Sequence, residues 1–372
     1  MSKSNSTVLD DPKQIRKIDK SEMLSFCVDA YTHYEKAARL AHKLSLSCRE
    51  PQTIIAAGMG GSAIGGDLLK DWSRGKISVP IEVCREYSLP AYADKGTLVL
   101  VVSYSGETEE SLSVFLEALK RKCMVACISS GGKLGDFAER LNLPWLRVPL
   151  GMAPRATLPY LFVPLILLLE KLNLTTSVDS EISEAVDVLK HVRDENSPDA
   201  PLRDNPSKSL ASNISGTIPF VYGFGDYRAV AQRFKTQLNE NSKVPAKWEV
   251  FPELDHNEIV GWEEAHELAK YCSVIFTRGR NEAEEMKERI EVTEELLRRV
   301  PVKTFEVWSR GESTLARMSS LINIGDFTSV YLAVLRGIDP TPVRTIDLLK
   351  GKIKRSRLKE KIIRELQSFS KQ

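Results

Sequence analysis

The chain has 372 residues, 42% hydrophobic and 27% charged, with a formal net charge of +2. That is ordinary globular composition with length for two or three domains, and so balanced a charge leaves no electrostatic footprint for nucleic acid. Six scattered cysteines (Cys27, Cys48, Cys84, Cys123, Cys127, Cys272) contain one close pair and no second to complete a zinc site, so they read as reduced, mostly buried thiols of a cytoplasmic protein.

The amino terminus, MSKSNSTVLDDPKQIRK, lacks the apolar core of an export signal. Thr53–Ala57 reads as a strand ending in GMGGSAIGGD, with a helix over 64–72. Thr97–Val102 (TLVLVV) is a continuous apolar run, as expected of a strand buried on both faces of a parallel sheet. SYSGET follows, then an amphipathic helix of about fifteen residues from Glu109. A strand at 125–129, a helix at 134–141 and a strand at 145–148 continue the alternation. The apolar run at 158–169 holds Pro159 and Pro164 and is too short to span a bilayer, so it reads as a buried helix.

From 193 to 215 the chain is rich in Ser, Pro, Asn and Asp and reads as a linker. The pattern then restarts: strand 218–222 ending in GFGDYR, helix 227–240, strand 274–276 ending in TRGRNE, a charged helix to 299, strand 304–308. GMGGSAIGGD and GFGDYRAVAQ hold equivalent places, as do SYSGET and TRGRNE, which marks an internal repeat of one α/β unit. The expected architecture is two doubly wound parallel-sheet subdomains with a helical carboxy-terminal segment. Its boundaries are an extension at 1–20, a first subdomain at 21–195, a linker at 196–215 and a second subdomain at 216–372. The second repeat has lost Ser and Gly at its loops, so the halves should not do the same job. The basic end, GKIKRSRLKEK, is either a solvated helix end or a docking tail.

SYSGET sits where backbone N–H groups and the positive helix end face a ligand. Ser103, Ser105 and Thr108 add hydroxyl donors and Gly106 permits close backbone approach, a set that suits a phosphate monoester. The competing reading is a helix cap that binds nothing, which accounts for one hydroxyl but not three. In GMGGSAIGGD, Gly58, Gly60 and Ala63 satisfy the dinucleotide pattern G-x-G-x-x-[GA], with Glu82 near the expected ribose acid. Gly60, Gly61 and Ser62 equally suit a loop that packs against a sugar, and that reading also explains the second hydroxyl loop.

These loops resemble those of sugar isomerase (SIS) domains. QLNENSK (237–243) with ELDHNEIVGW (253–262) is similar to one branch, the bifunctional phosphoglucose/phosphomannose isomerases, and the resemblance covers about residues 20–350. It implies a metal-independent, cofactor-free aldose–ketose isomerase acting on glucose 6-phosphate and mannose 6-phosphate, and a homodimer with shared active sites. It implies phosphate at Ser103, Ser105 and Thr108, sugar against Gly60, Gly61 and Ser62, and Glu240 as catalytic base. His256 matches the ring-opening histidine, supplied by the partner chain, and Arg155 the arginine beside the intermediate. Lys350 is the lysine of choice, with Lys352 and Lys354 close by, and Thr341 is the residue that tolerates both C2 epimers.

The residue types fit that chemistry. One carboxylate reaching two adjacent carbons can carry a proton between them. Glu240 ends a helix, where the negative dipole end favours a stronger base. A guanidinium such as Arg155 stays charged beside an oxyanion, and a histidine titrates near neutrality, as ring opening requires. His33, His42, His191 and His266 lie in charged helical patterns, leaving His256 alone in a loop. Without the resemblance, a solvated loop histidine and a surface Glu240 would be the plainer readings. A non-catalytic sugar-phosphate-binding regulator is the alternative from a different class, and a dinucleotide-dependent oxidoreductase a third.

Overall fold

The structure, a computed structural model, describes residues 6–44, 46, 48–353 and 357–369; Lys354 lies outside the described residues. The chain forms two compact units.

The five-stranded unit takes Thr32–Ser180 and the segment from Val343 onward. Its strands are β1 (Thr53–Ala57), β2 (Ile81–Cys84), β3 (Thr97–Val102), β4 (Met124–Ser129) and β5 (Trp145–Arg147). All pair in parallel in the order β2-β1-β3-β4-β5. Every residue of β3 is buried, which is why its sequence shows no polar alternation. Helices Gly61–Ser73, Glu109–Lys120 and Gly132–Arg140 make the crossovers. Helix Leu158–Lys171 buries every residue from 158 to 169 and packs on helix Gly61–Ser73. Its Pro159 sits at the first turn, where no backbone N–H is needed. Strand order reverses between β1 and β3, and ligands of such sheets bind outside the carboxyl ends of the strands at that point.

The four-stranded unit takes the chain through Tyr31 and Glu181–Pro342. Strands β6 (Ile218–Gly223), β7 (Lys247–Val250), β8 (Cys272–Arg278) and β9 (Lys303–Trp308) pair in parallel in the order β7-β6-β8-β9. They repeat the order of β2-β1-β3-β4, with helix Arg228–Glu240 crossing as Gly61–Ser73 does, so the repeat in the sequence is a repeat of topology. After β9 the chain enters helix Thr314–Leu335 instead of a fifth strand. That helix has 22 residues and is long and apolar enough to cross a membrane, yet its most apolar window is 89% buried inside the protein.

Three segments differ from the reading by composition. Residues 196–215, read as a linker, contain helix Pro206–Ile214, capped by Asn205 and packed on helix Thr314–Leu335. Its inward face includes Ser207 and Lys208, whose polar atoms bond to carbonyls: Ser207 Oγ to Ile324, Lys208 Nζ to Pro198 and Ala200. The segment at 1–20 is no free extension, because Leu9 and Ile15 are buried in the four-stranded unit. Residues from 343 onward, expected with the second sheet, belong instead to the five-stranded unit. There, helix Leu358–Phe369 inserts Ile362 and Leu366 into the cluster of Leu112 and Phe115, while Lys359 pairs with Glu107 at 2.6 Å. Of the basic end, residues 358–361 therefore open an amphipathic helix docked on its own unit.

All six cysteines carry free thiols; Cys27, Cys84 and Cys127 are buried and the others half-buried. Leu366→Ala should lower stability by about 2–4 kcal/mol in urea unfolding, the usual cost of such a truncation in a closed core. A change below about 0.5 kcal/mol, the surface value, would show that the helix is not docked.

Candidate functional site

In the five-stranded unit, the expected phosphate and sugar residues are brought to one edge. The turn after β1 places Gly60 at φ 52, and Gly61 begins a helix. A Cβ on Gly61 would lie 3.0 Å from the Pro154 carbonyl oxygen, so this glycine lets the segment carrying Arg155 close onto the helix end. Arg155 itself is buried. The turn after β3 places Ser103 buried, Ser105 exposed and Thr108 half-buried at the start of helix Glu109–Lys120. Ser103 Oγ donates to Thr108 Oγ1 at 3.1 Å, and Glu107 N donates to Ser105 Oγ at 3.2 Å. Thr108 makes no side-chain cap bond, which removes the capping explanation for its hydroxyl.

Tyr104 joins these parts. Its N–H donates to Ser62 Oγ at 3.1 Å, its phenol accepts from Met152 N at 3.0 Å, and its carbonyl accepts from Ser130 Oγ at 2.6 Å. A third loop thus enters the site, 129–132 after β4, which the sequence reading missed. A Cβ on Gly106 (φ 65) would sit 1.9 Å from the Gly131 carbonyl oxygen, so the two turns touch backbone to backbone. The signal was SSGG after a strand, which reads as a simple turn.

The dinucleotide reading fits less well. Glu82 is an exposed residue inside β2, not at its carboxyl end, and its carboxylate accepts from the Tyr92 phenol. Gly58, Gly65 and Gly66 are each explained by close packing against Val102, Leu161 and Ala56.

In the four-stranded unit, the turn after β8 carries ion pairs in place of hydroxyls. Arg278, the last residue of β8, is 2% exposed and grips Glu282 through two bonds of 2.8 and 2.7 Å. It also pairs with Glu306 and stacks its guanidinium over Trp308. The Tyr227 phenol, bonded to Ser309, fills the space beside Gly279. Where the first repeat offers hydroxyls, the second holds a closed ion-pair cluster.

Glu240 lies at the carboxyl end of helix Arg228–Glu240, half-buried, and its neighbours in NENSK fix it there. Asn239 Nδ2 donates to the Val244 carbonyl at 2.8 Å, and Asn241 Nδ2 to Ser329 Oγ at 2.9 Å. Ser242 Oγ donates to the Ser329 carbonyl at 2.6 Å. Lys243 Nζ donates to the carbonyls of Glu240 and, at 2.8 Å, Pro340, which brings Glu240 and Thr341 into one neighbourhood. That ammonium also meets the negative end of the helix, so the dipole does not act on Glu240 unopposed.

His256 is exposed at the end of the short turn Glu253–His256, beyond β7. Leu254 and Trp262 anchor the loop in the core. Asp255 accepts from Thr293 Oγ1 at 3.0 Å and Arg289 at 3.2 Å, and Glu258 accepts from the Tyr222 phenol at 3.3 Å. Burial, reinforced by the Glu258 carboxylate, holds that phenol far above its ordinary pKa, so it remains a donor.

The crossover fixes where these two residues stand. Helix Arg228–Glu240 carries the chain from the carboxyl edge of β6 back to the amino edge of β7, and His256 follows the carboxyl end of β7. The helix has 13 residues. At 1.5 Å rise each it spans about 20 Å. Within one chain Glu240 and His256 occupy opposite edges of the same sheet. Of the other histidines, His42, His191 and His266 are exposed, whereas His33 is half-buried with Nδ1 3.0 Å from the Tyr160 phenol. Lys350 and Lys352 lie on helix Arg344–Ile353, both exposed. Among the described residues no group of three or more His, Cys, Asp or Glu could hold a metal ion.

Residues 203–353 match the family of bacterial phospho-glucose isomerase C-terminal SIS domains. The chain is 39% identical over 322 residues to a bifunctional phosphoglucose/phosphomannose isomerase of Caldicellulosiruptor bescii, covering 86% of this chain and 95% of that one. It is 35% identical to a protein of the same name from Aquifex aeolicus, covering 81% and 90%. A hypothetical protein of Thermus thermophilus has a crystal structure that matches with a TM-score of 0.73 at 16% identity over 95% of both chains, which shows a common fold.

Gly106→Ala forces the two turns apart, so it should weaken binding of a phosphate monoester by at least about tenfold in calorimetric titration. An unchanged Kd would mean that this edge does not hold the phosphate.

Proposed function

Because the chain belongs to the bifunctional phosphoglucose/phosphomannose isomerases, we propose that it interconverts glucose 6-phosphate and mannose 6-phosphate with fructose 6-phosphate in the cytoplasm, without a metal. The observation that carries the reading is a hydroxyl-lined turn at a strand-order reversal, in a chain whose one NENSK turn holds the backbone that carries a glutamate.

Ser103, Ser105 and Thr108 take the phosphate by hydrogen bonds from hydroxyls and backbone, at the positive end of helix Glu109–Lys120. Gly60, Gly61 and Ser62 face the sugar. His256 of the partner subunit opens the ring by giving a proton to the ring oxygen as the C1 hydroxyl gives up its own, which leaves the C1 carbonyl. Glu240 then removes the proton from C2 of the aldose, and the electron pair flows into a cis-enediolate. The same carboxylate returns that proton to C1 while the O2 proton passes to O1, which leaves the C2 carbonyl of the ketose. Arg155 stabilises the oxyanion and Lys350 completes the cationic set. General base catalysis supplies about 10² to 10⁴ in rate, so fixed positive charge at the oxygen has to supply much of the rest. Thr341 is the residue that tolerates either hydroxyl configuration at C2, a role supported by the Lys243 bond that ties the neighbouring Pro340 to the Glu240 turn.

The opposite-edge placement of Glu240 and His256 supports a homodimer with shared sites, since no six-carbon substrate spans about 20 Å. Supplied separately with chelator present, both aldose phosphates should yield fructose 6-phosphate; turnover abolished by chelator, or absent for both, contradicts the reading. Glu240→Gln and His256→Ala should each be nearly inactive, yet mixing them should restore about a quarter of wild-type activity, one working site in half the dimers. No recovery after verified subunit exchange would place both residues in one chain's site.

A further inference from the structure

Lys243 is left over from this assignment, and its surroundings are unlike those of a surface lysine. It is half-buried, with the left-handed backbone (φ 55) common just after a helix end. Its ammonium meets three carbonyls: Glu240 O, Asn241 O at 3.4 Å and Pro340 O at 2.8 Å. Two of those belong to the helix end that carries Glu240. The third immediately precedes Thr341, whose own N–H is tied to Asp339 Oδ1 at 3.1 Å. The neighbouring polar residues of the motif, Asn241 and Ser242, fasten to Ser329 instead. Lys243 thus ties the segment bearing the base to the segment bearing Thr341.

We infer that Lys243 is a positioning residue that sets the placement of Glu240 relative to Thr341, and through it the balance between the two C2 epimers. An ammonium is suited to this because it has three donors and no acceptor, so three carbonyls can be drawn to one point. A neutral side chain there leaves carbonyls of the turn unpaired and the two segments free to part. A misplacement of about 1 Å is enough to cost on the order of a hundredfold in rate. The phosphate turn does not depend on this tie, so binding should be nearly spared. The inference rests on the isomerase reading above, and its test separates the two.

The experiment measures kcat and KM on glucose 6-phosphate and mannose 6-phosphate for wild type, Lys243→Met and Lys243→Arg, with folded fraction from circular dichroism. Lys243→Met should lose about 10- to 100-fold in kcat while KM stays within about twofold, and the glucose-to-mannose ratio should shift by at least about threefold. Lys243→Arg keeps the charge and should recover most of kcat, but with a displaced ratio because its planar head cannot meet the same three points. If Lys243→Met does not fold, the ratio in Lys243→Arg decides: an unshifted ratio overturns the inference. It is equally overturned if folded Lys243→Met matches wild type, or if its kcat falls only in step with its folded fraction. Wild type inactive on both sugars would overturn the functional reading and this inference with it; an active wild type beside an unaffected Lys243→Met overturns the inference alone.

Discussion

A parallel β–α–β crossover returns the chain to the opposite edge of its sheet, and the mechanism proposed for this protein has to meet that constraint. Glu240 stands where a crossover helix ends, whereas His256 stands just beyond the strand that the helix leads into. No rearrangement short of unfolding the crossover would let one chain bring both to one sugar. On the proposed mechanism, which needs both, one of them comes from another copy of the chain.

The equivalent edges of the two repeats are built of different matter. In the first, turns touch backbone to backbone at Gly106 and Gly131, with the Ser105 hydroxyl exposed and that of Thr108 half-buried at the edge. In the second, the buried pairing of Arg278 with Glu282 and Glu306 fills the corresponding place. Removing one partner of such a buried cluster leaves an uncompensated charge, which costs about 3–5 kcal/mol. The second repeat holds ion pairs where the first holds hydroxyls, and on the proposed mechanism its contribution is the Glu240 turn.

Much of the fold can be read from residue pattern alone, most easily where burial is complete. The runs of β1 and β3 coincide with the observed strands because a strand covered on both faces shows an unbroken apolar signal. The strands β2 (IEVC) and β7 (KWEV) escape notice because four-residue edge strands carry exposed or half-buried charge. Helix Pro206–Ile214 escapes because its buried face uses Ser207 and Lys208, satisfied by carbonyls that composition does not reveal. Hydroxyls in SYSGET announce a site by chemistry, while Glu240 and His256 come from motif resemblance and read otherwise as surface residues. Ser130 and Lys243 are invisible for a further reason: their roles lie in bonds to main-chain atoms far along the sequence.

The claim on which the account turns is that one sugar is held by its phosphate at Ser103, Ser105 and Thr108 while the Glu240 carboxylate reaches C1 and C2. A crystal structure of the assembled protein with fructose 6-phosphate bound tests it most directly. The account predicts phosphate oxygens within hydrogen-bond reach of those hydroxyls and the carboxylate about 3 Å from both carbons. It also predicts His256 of the partner subunit beside the ring oxygen. Phosphate bound away from the Ser103–Thr108 turn, or a Glu240 that no assembled copy brings near C1 and C2, would contradict it.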